Sequence, residues 1–155
     1  MVATTRYNLS GLKEMQAAFL ELTGEVQLRL ARRATSEGAA IVRDSIKETA
    51  LKRDKKTNKP YTHKGVTYQV GELSRQTKIA NIRDTDLTSE HIVFVVSNKR
   101  NGYIGRIANL NEWGTVKMAP QPFFRQGFAQ SSAEASDKIG EVLARGITNS
   151  LKGKL

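Results

Sequence analysis

Leu12, Met15, Phe19, Leu22, Val26 and Leu30 recur at steps of three and four residues, and Ala34, Ile41, Val42 and Ile46 carry the stripe onward. Side chains at that spacing share one face of an α-helix. The first third of the chain is therefore expected to be helical and to bury that face. Ser10 stands just ahead of the stripe, where its hydroxyl can accept from an unpaired first-turn amide. Gly24 interrupts the run, and a glycine inside a helical pattern marks a kink or a break. Two arrangements satisfy the pattern from Ser10 to about Leu51. One is a single long helix, or two helices end to end; the other is a helical hairpin folded at Gly24. The first would reach about 60 Å. That is too long for a compact body of 155 residues, so it predicts that part of the helix lies against another subunit.

Beyond this region the pattern changes. Lys52 to Tyr68 reads KRDKKTNKPYTHKGVTY, with no apolar periodicity and with Pro60 and Gly65 as structure breakers. It is expected to be a long basic loop, poorly ordered from Lys52 to Lys64 in the isolated protein, with a small hairpin around Lys64-Gly65. Thr77 to Arg83 (TKIANIR) and His91 to Ser97 (HIVFVVS) are short, apolar and rich in β-branched residues, and turn formers lie between them. They predict an antiparallel hairpin. Tyr103, Ile107, Leu110 and Asn111 return to helical spacing over residues 103–113. A last helix follows Pro122, a residue suited to the first-turn position, with Phe124, Phe128, Ala135, Ile139, Val142, Leu143 and Ile147 as its apolar stripe. The expected fold is α+β: a long N-terminal helix, a small antiparallel β-sheet, and a short helix and a C-terminal helix packed on the sheet. One domain is expected over 1–155, with a basic loop inserted at about 52–70.

Composition narrows the chemistry. No cysteine is present, which excludes a disulfide framework, thiolate metal sites and cysteine nucleophiles. His63 and His91 fall in different elements without carboxylates at ligand spacing, and Asp84 and Asp86 share a turn where capping accounts for them. No phosphate loop, dinucleotide fingerprint or nucleophile elbow occurs. The chain is therefore read as neither an enzyme nor a metal or cofactor carrier. No apolar run is long enough to span a membrane. The opening MVATTRYNLSGLKE has no basic-then-apolar leader pattern, which predicts use in the cytoplasm.

Two features point to binding. The first is a formal net charge of +10, which suits a polyanionic partner or a surface facing one. Lys52, Arg53, Lys55, Lys56, Lys59 and Lys64 concentrate that charge in the loop, with Tyr61 and Tyr68 interleaved. Such a loop can grip phosphates without reading sequence; equally, it can be a solvated segment. The second is Glu112-Trp113-Gly114-Thr115 followed by Met118-Ala119-Pro120-Gln121-Pro122-Phe123-Phe124-Arg125, which gathers the only Trp, two of the three prolines and two of the five Phe. Trp and Phe are anchor residues at interfaces, and they also serve to pack a corner. Trp113 and Phe124 are expected to be the anchors here.

At these residues the chain resembles the head–tail joining, or tail-completion, proteins of long-tailed bacteriophages, a neck family whose distant members include the phage lambda minor tail protein Z. That family shows a helical N-terminal region, a "tG-x-Lr-x-S-i" segment entering a strand and a second strand. A short helix ending in "EFGT", a "K-M-P-A-x-PFlRPA" turn and a C-terminal helix complete it. Gly71, Leu73, Ser74 and Ile79 match the first motif; Glu112, Trp113, Gly114 and Thr115 match the second, and Lys117 to Arg125 the third, with the order of elements matching over about residues 10–150. Trp113 stands where Phe is usual, Ala119-Pro120 inverts Pro-Ala, and Gln126-Gly127 replaces Pro-Ala after the arginine.

The resemblance implies a structural virion protein without catalysis. It would form a six-fold ring of identical subunits in the neck and join or complete the tail, with DNA passing through the lumen in non-specific contact. A head-closure or connector protein would lie on one side and a tail terminator or tail tube on the other, after assembly in the host bacterial cytoplasm. The competing reading from the residues alone is a non-enzymatic basic nucleic-acid-binding protein of nucleoid or ribosomal type.

Overall fold

In a computed structural model that describes residues 10–50, 61–63, 65–68, 71–85 and 88–152, the first stripe folds back on itself. Helix α1 (Ser10–Leu20) stops short of Gly24, and α2 (Gly24–Thr49) begins there. Thr23, extended at φ −67° and ψ 149°, is the residue ahead of α2. Threonine is favoured at that boundary and glycine weakens the turn after it, so helix propagation fails where Thr23 and Gly24 meet. Folding back brings Met15 and Phe19 to the same cleft as Ala31 and Ala34 of α2 and Leu143 and Ile147 near the chain's end. Gln27, buried, fastens the bend by donating from Nε2 to the Phe19 carbonyl at 2.8 Å. The hairpin is thus the arrangement adopted, and the argument from an over-long rod to a neighbouring subunit loses its ground.

After α2 come β1 (Tyr61–His63), β2 (Val66–Tyr68), α3 (Glu72–Gln76), β3 (Thr77–Asp84) and β4 (Ser89–Val95). A 3₁₀ turn (Lys99–Asn101), α4 (Ile104–Trp113) and α5 (Phe123–Lys152) complete the order. The fold is α+β, with long helices towards both ends of the chain and short antiparallel strand pairs between them. β1 pairs with β2 across Gly65, which sits at φ 78°. β3 pairs with β4 from Thr77–Val95 to Asp84–Ser89, with an irregularity between Asn81 and Arg83. The β3–β4 pair packs on α2. Its inner residues Val93 and Val95 join Val42, Ile46, Leu73, Ile104, Ala108 and Phe123 in the main core.

α5 lies antiparallel along α2, and at its first turn Phe123 and Phe124 meet β4. The helix pair is close because small residues face it. A Cβ on Gly127 would fall 2.6 Å from the Ile46 Cα, and one on Gly38 would fall 2.6 Å from the Ile139 Cγ1. The backbones are near enough for side-chain hydroxyls to cross between them. Ser45 Oγ donates to the Gly127 carbonyl at 2.9 Å, and Thr49 Oγ1 to the Phe123 carbonyl at 2.7 Å. The buried face of α5 is therefore Phe123, Gly127, Ser131, Ala135, Val142 and Ile147. Phe128, placed by its spacing on the apolar stripe, is 55% exposed instead.

Candidate interaction surface at the α4–α5 corner

α5 opens on Pro122-Phe123, and neither side chain can cap it. The carbonyl of Pro122 accepts from the Gln126 amide at 3.1 Å, so Pro122 stands just before the helix rather than inside its first turn. The first amides of any helix lack intrahelical partners and carry the positive end of its dipole. Here the missing acceptor comes from α4. Glu112 takes the Phe124 amide on Oε2 at 2.9 Å and the Arg125 amide on Oε1 at 3.0 Å. Arg125 closes the corner from the other side. Its Nε donates to Glu112 Oε1 at 2.8 Å and its Nη2 to the Glu112 carbonyl at 2.8 Å. The carboxylate is buried, and all its bonds are charge-assisted.

Between these residues the chain turns back tightly. Gly114 ends α4 at φ 76°, a left-handed position that favours glycine, and a Cβ there would lie 2.8 Å from the Met118 carbonyl oxygen. Thr115 and Met118 exchange backbone bonds of 2.8 and 3.2 Å, leaving Val116 and Lys117 at the tip. Gln121 donates its amide to the Asn111 carbonyl at 2.7 Å, which returns the chain to α4 before Pro122.

The aromatic residues divide between core and surface. Phe123 is buried and Phe124 half-buried, edge to face at 6.2 Å between centroids. Trp113 is not a packing anchor. It is 65% exposed, with the Arg125 guanidinium carbon 4.3 Å from its ring centroid. It belongs instead to an outward row on α4 with Tyr103, Ile107 and Leu110, all exposed, to which the corner adds Val116 and Met118. Ile104 and Ala108 occupy the inner face, so α4 is apolar inside and along this outer row, with Arg106 and Asn109 also exposed on the outer side. Tyr103 enters the row in a left-handed conformation, φ 55° and ψ 48°, uncommon for a bulky residue. The reciprocal Asn98–Asn101 cap and the bond from the Tyr103 amide to the Asn98 carbonyl (2.9 Å) hold it there.

Charge along this stretch of the chain has almost one sign. From Val96 to Ala133 the only acidic residue is Glu112, which the corner consumes. Lys99, Arg100, Arg106 and Lys117 are exposed and form no ion pair among the described residues. Lys52, Arg53, Lys55, Lys56, Lys59 and Lys64 lie outside the described residues. The β1–β2 hairpin that follows the basic segment does pack beside the Lys99–Asn101 turn. Gly71, at φ 72°, opens the single turn α3; Leu73 is buried, Ser74 follows, and Ile79 lies in β3. This first motif thus starts the strand pair, far in sequence from the corner.

His91 Nδ1 lies 3.0 Å from Thr35 Oγ1. Asp84 is partnered by Asn81, Ser89 and Arg32, which together hold its carboxyl down to about pH 2. Among the described residues no group of three or more His, Cys, Asp or Glu is placed to hold a metal, and no helix is long and apolar enough to cross a membrane.

Glu112 and Arg125 both stand out in the sequence as motif residues, but nothing local pairs them. An acidic residue at the end of one helix, followed by a helix that opens on proline, was the available signal. Compared with known proteins, the chain matches no family model, no curated protein and no solved structure.

Proposed function

We propose that this chain is a structural subunit of a phage neck. It assembles into a closed ring, six-fold by the family resemblance, that joins or completes the tail where it meets the head and passes DNA through its lumen. A head-closure or connector protein and a tail terminator or tube are its neighbours. The observation that carries the reading is the corner itself. The motif shared with neck proteins is the segment in which Glu112 and Arg125 fix α4 on α5, and the helix so fixed has a bare apolar outer face. An assembly subunit has a use for that face; a free nucleic-acid-binding protein does not. Lys99, Arg100, Arg106 and Lys117, which form no ion pair among the described residues, are what favours the second reading, a basic protein bound to nucleic acid.

Light scattering on the eluting protein at low and high salt, without DNA, separates the two. Rings that persist in high salt support the neck reading, together with restored tail joining when the wild-type chain complements a defective phage. A monomer that binds DNA with a steep salt slope and restores no tail joining supports the alternative.

A further inference from the structure

Among the described residues the β3–β4 pair has no third strand. β4 and α5 both pack on α2, and between them runs a groove of about 640 Å³, floored by Gly38, Ala39 and Val42 of α2. Phe124 and Phe128 of α5 form its far wall, opposite the consecutive residues Ser89 to Val93. At Val93 and Phe124 it passes into a second groove of about 630 Å³, where α4 is the far wall and Val93, Val95 and Ser97 are the near one. The free edge of β4 is thus grooved along its whole length.

The register says which backbone groups face that groove. The Val96 amide donates to the Gln76 carbonyl at 2.8 Å. Bonded and unbonded partners alternate along an antiparallel pair. Phe94 opposite Lys78 and Ile92 opposite Ala80 are therefore bonded to β3, and the amides and carbonyls of His91, Val93 and Val95 turn away from it. Among the described residues those groups find no hydrogen-bond partner. An added strand satisfies both the backbone and the apolar walls, because it pairs with the edge and fills the groove with alternate side chains. Charge marks the two ends. At the Ser97 end Glu112 and Arg125 are paired with each other, which leaves Arg106. At the Ser89 end Glu90 is exposed and forms no ion pair among the described residues.

We infer, beyond the ring reading and independently of it, that this groove takes one extended segment of a different protein chain as a third strand antiparallel to β4. The segment is apolar at alternate positions, acidic towards Arg106 and basic towards Glu90. The floor is a single helix, about 10 Å across. One added strand stands about 4.8 Å from β4, and a second would stand where α5 does. A lone segment therefore fits, and the β3–β4 pair of another copy does not. Antiparallel pairing is the more stable per residue. The longer stretches of this chain outside the described residues have the wrong charge to meet Arg106. Residues 1–9 hold no acid, and residues 51–60 hold Asp54 among five bases.

The probe is the acetylated peptide Glu-Val-Thr-Val-Thr-Val-Lys, titrated into the full chain and followed by amide hydrogen exchange in NMR spectra. In the free chain Ile92 and Phe94 should exchange slowly, and His91, Val93 and Val95 about tenfold faster. With the peptide at about ten times its dissociation constant, these three should gain about tenfold protection. N-methylation of the middle valine removes one strand bond and keeps the side chains, and should weaken binding about tenfold. Arg106→Glu should weaken binding about threefold and favour the peptide with its Glu and Lys exchanged. Protection of His91, Val93 and Val95 in the free chain at every concentration means that the edge is covered from within, and protection that rises with protein concentration means that a second copy covers it. Either overturns the inference. So does equal binding of the N-methylated peptide, an unchanged peptide preference in Arg106→Glu, or no binding at millimolar concentration. None of these outcomes touches ring formation, which light scattering reads separately.

Discussion

The carboxylate of Glu112 accepts from the first amides of α5 and holds the guanidinium of Arg125, 13 residues on, at 2.8 Å. One side chain therefore supplies a helix cap, an ion pair and the angle between two helices. Glu112→Ala strands two amides at the start of α5 and leaves the exposed Arg125 guanidinium without its carboxylate partner, and should destabilise the fold by about 1–3 kcal/mol. Glu112→Gln keeps an acceptor and should lose less. Urea unfolding of both variants tests this, and an alanine variant as stable as wild type would show that the corner is held by packing alone.

The α2–α5 contact makes a paired prediction. Alanine is the better helix former, by about 0.5–1 kcal/mol. Gly140 has open space where a Cβ would project, so Gly140→Ala should gain about that much. Gly127 is pressed against the Ile46 backbone, so Gly127→Ala should instead lose about 1–3 kcal/mol through overpacking. Thermal melts of the two variants should shift in opposite directions; a shared direction would contradict the close approach.

How much of this was legible in the sequence follows from which interactions are local. Periodicity located the helices and β-branched runs located β3 and β4, because both depend on neighbours within a few residues. It did not choose between rod and hairpin. The stripe through Leu22 and Val26 continues across the break, and only the tertiary partners of Met15 and Phe19 decide. The same limit explains α5. Apolarity pointed to Phe128, but the surface that meets α2 is built from Gly127 and Ser131, small residues chosen for approach rather than for hydrophobicity. At the corner, large and rare residues marked the right segment. Their burial was invisible, because Trp113 and Phe123 differ in which way the turn at Gly114 aims them and not in composition.

Acid should weaken one contact in a defined window. Asn81, Ser89 and Arg32 hold the Asp84 carboxyl down to about 2, below its ordinary value of 3.8. A group with a lowered folded pKa contributes stability above the unfolded value and loses it as pH falls through the folded one. Asp84→Asn should therefore melt below wild type at pH 5 and above, and the gap should narrow between about pH 4 and pH 2. A gap that stays constant across that window would mean that the carboxylate's charge plays no part.

The outer face of α4 separates folding from assembly. A buried tryptophan truncated to alanine costs about 3–5 kcal/mol, whereas an exposed stack on arginine contributes about 0.5–1 kcal/mol. Trp113→Ala should therefore leave the monomer folded, with a small drop in melting temperature. Tyr103 sharpens the test. Left-handed backbone costs a residue with a side chain about 1–2 kcal/mol, so Tyr103→Gly should relieve strain and hold or raise stability while deleting an exposed aromatic. If the row Tyr103, Ile107, Leu110 and Trp113 is the surface that meets a neighbour, both variants should lose self-association and tail joining while keeping a cooperative melt. If both assemble and complement as wild type does, the row is solvent-facing in the working protein, and the bare apolar face no longer supports the proposed function.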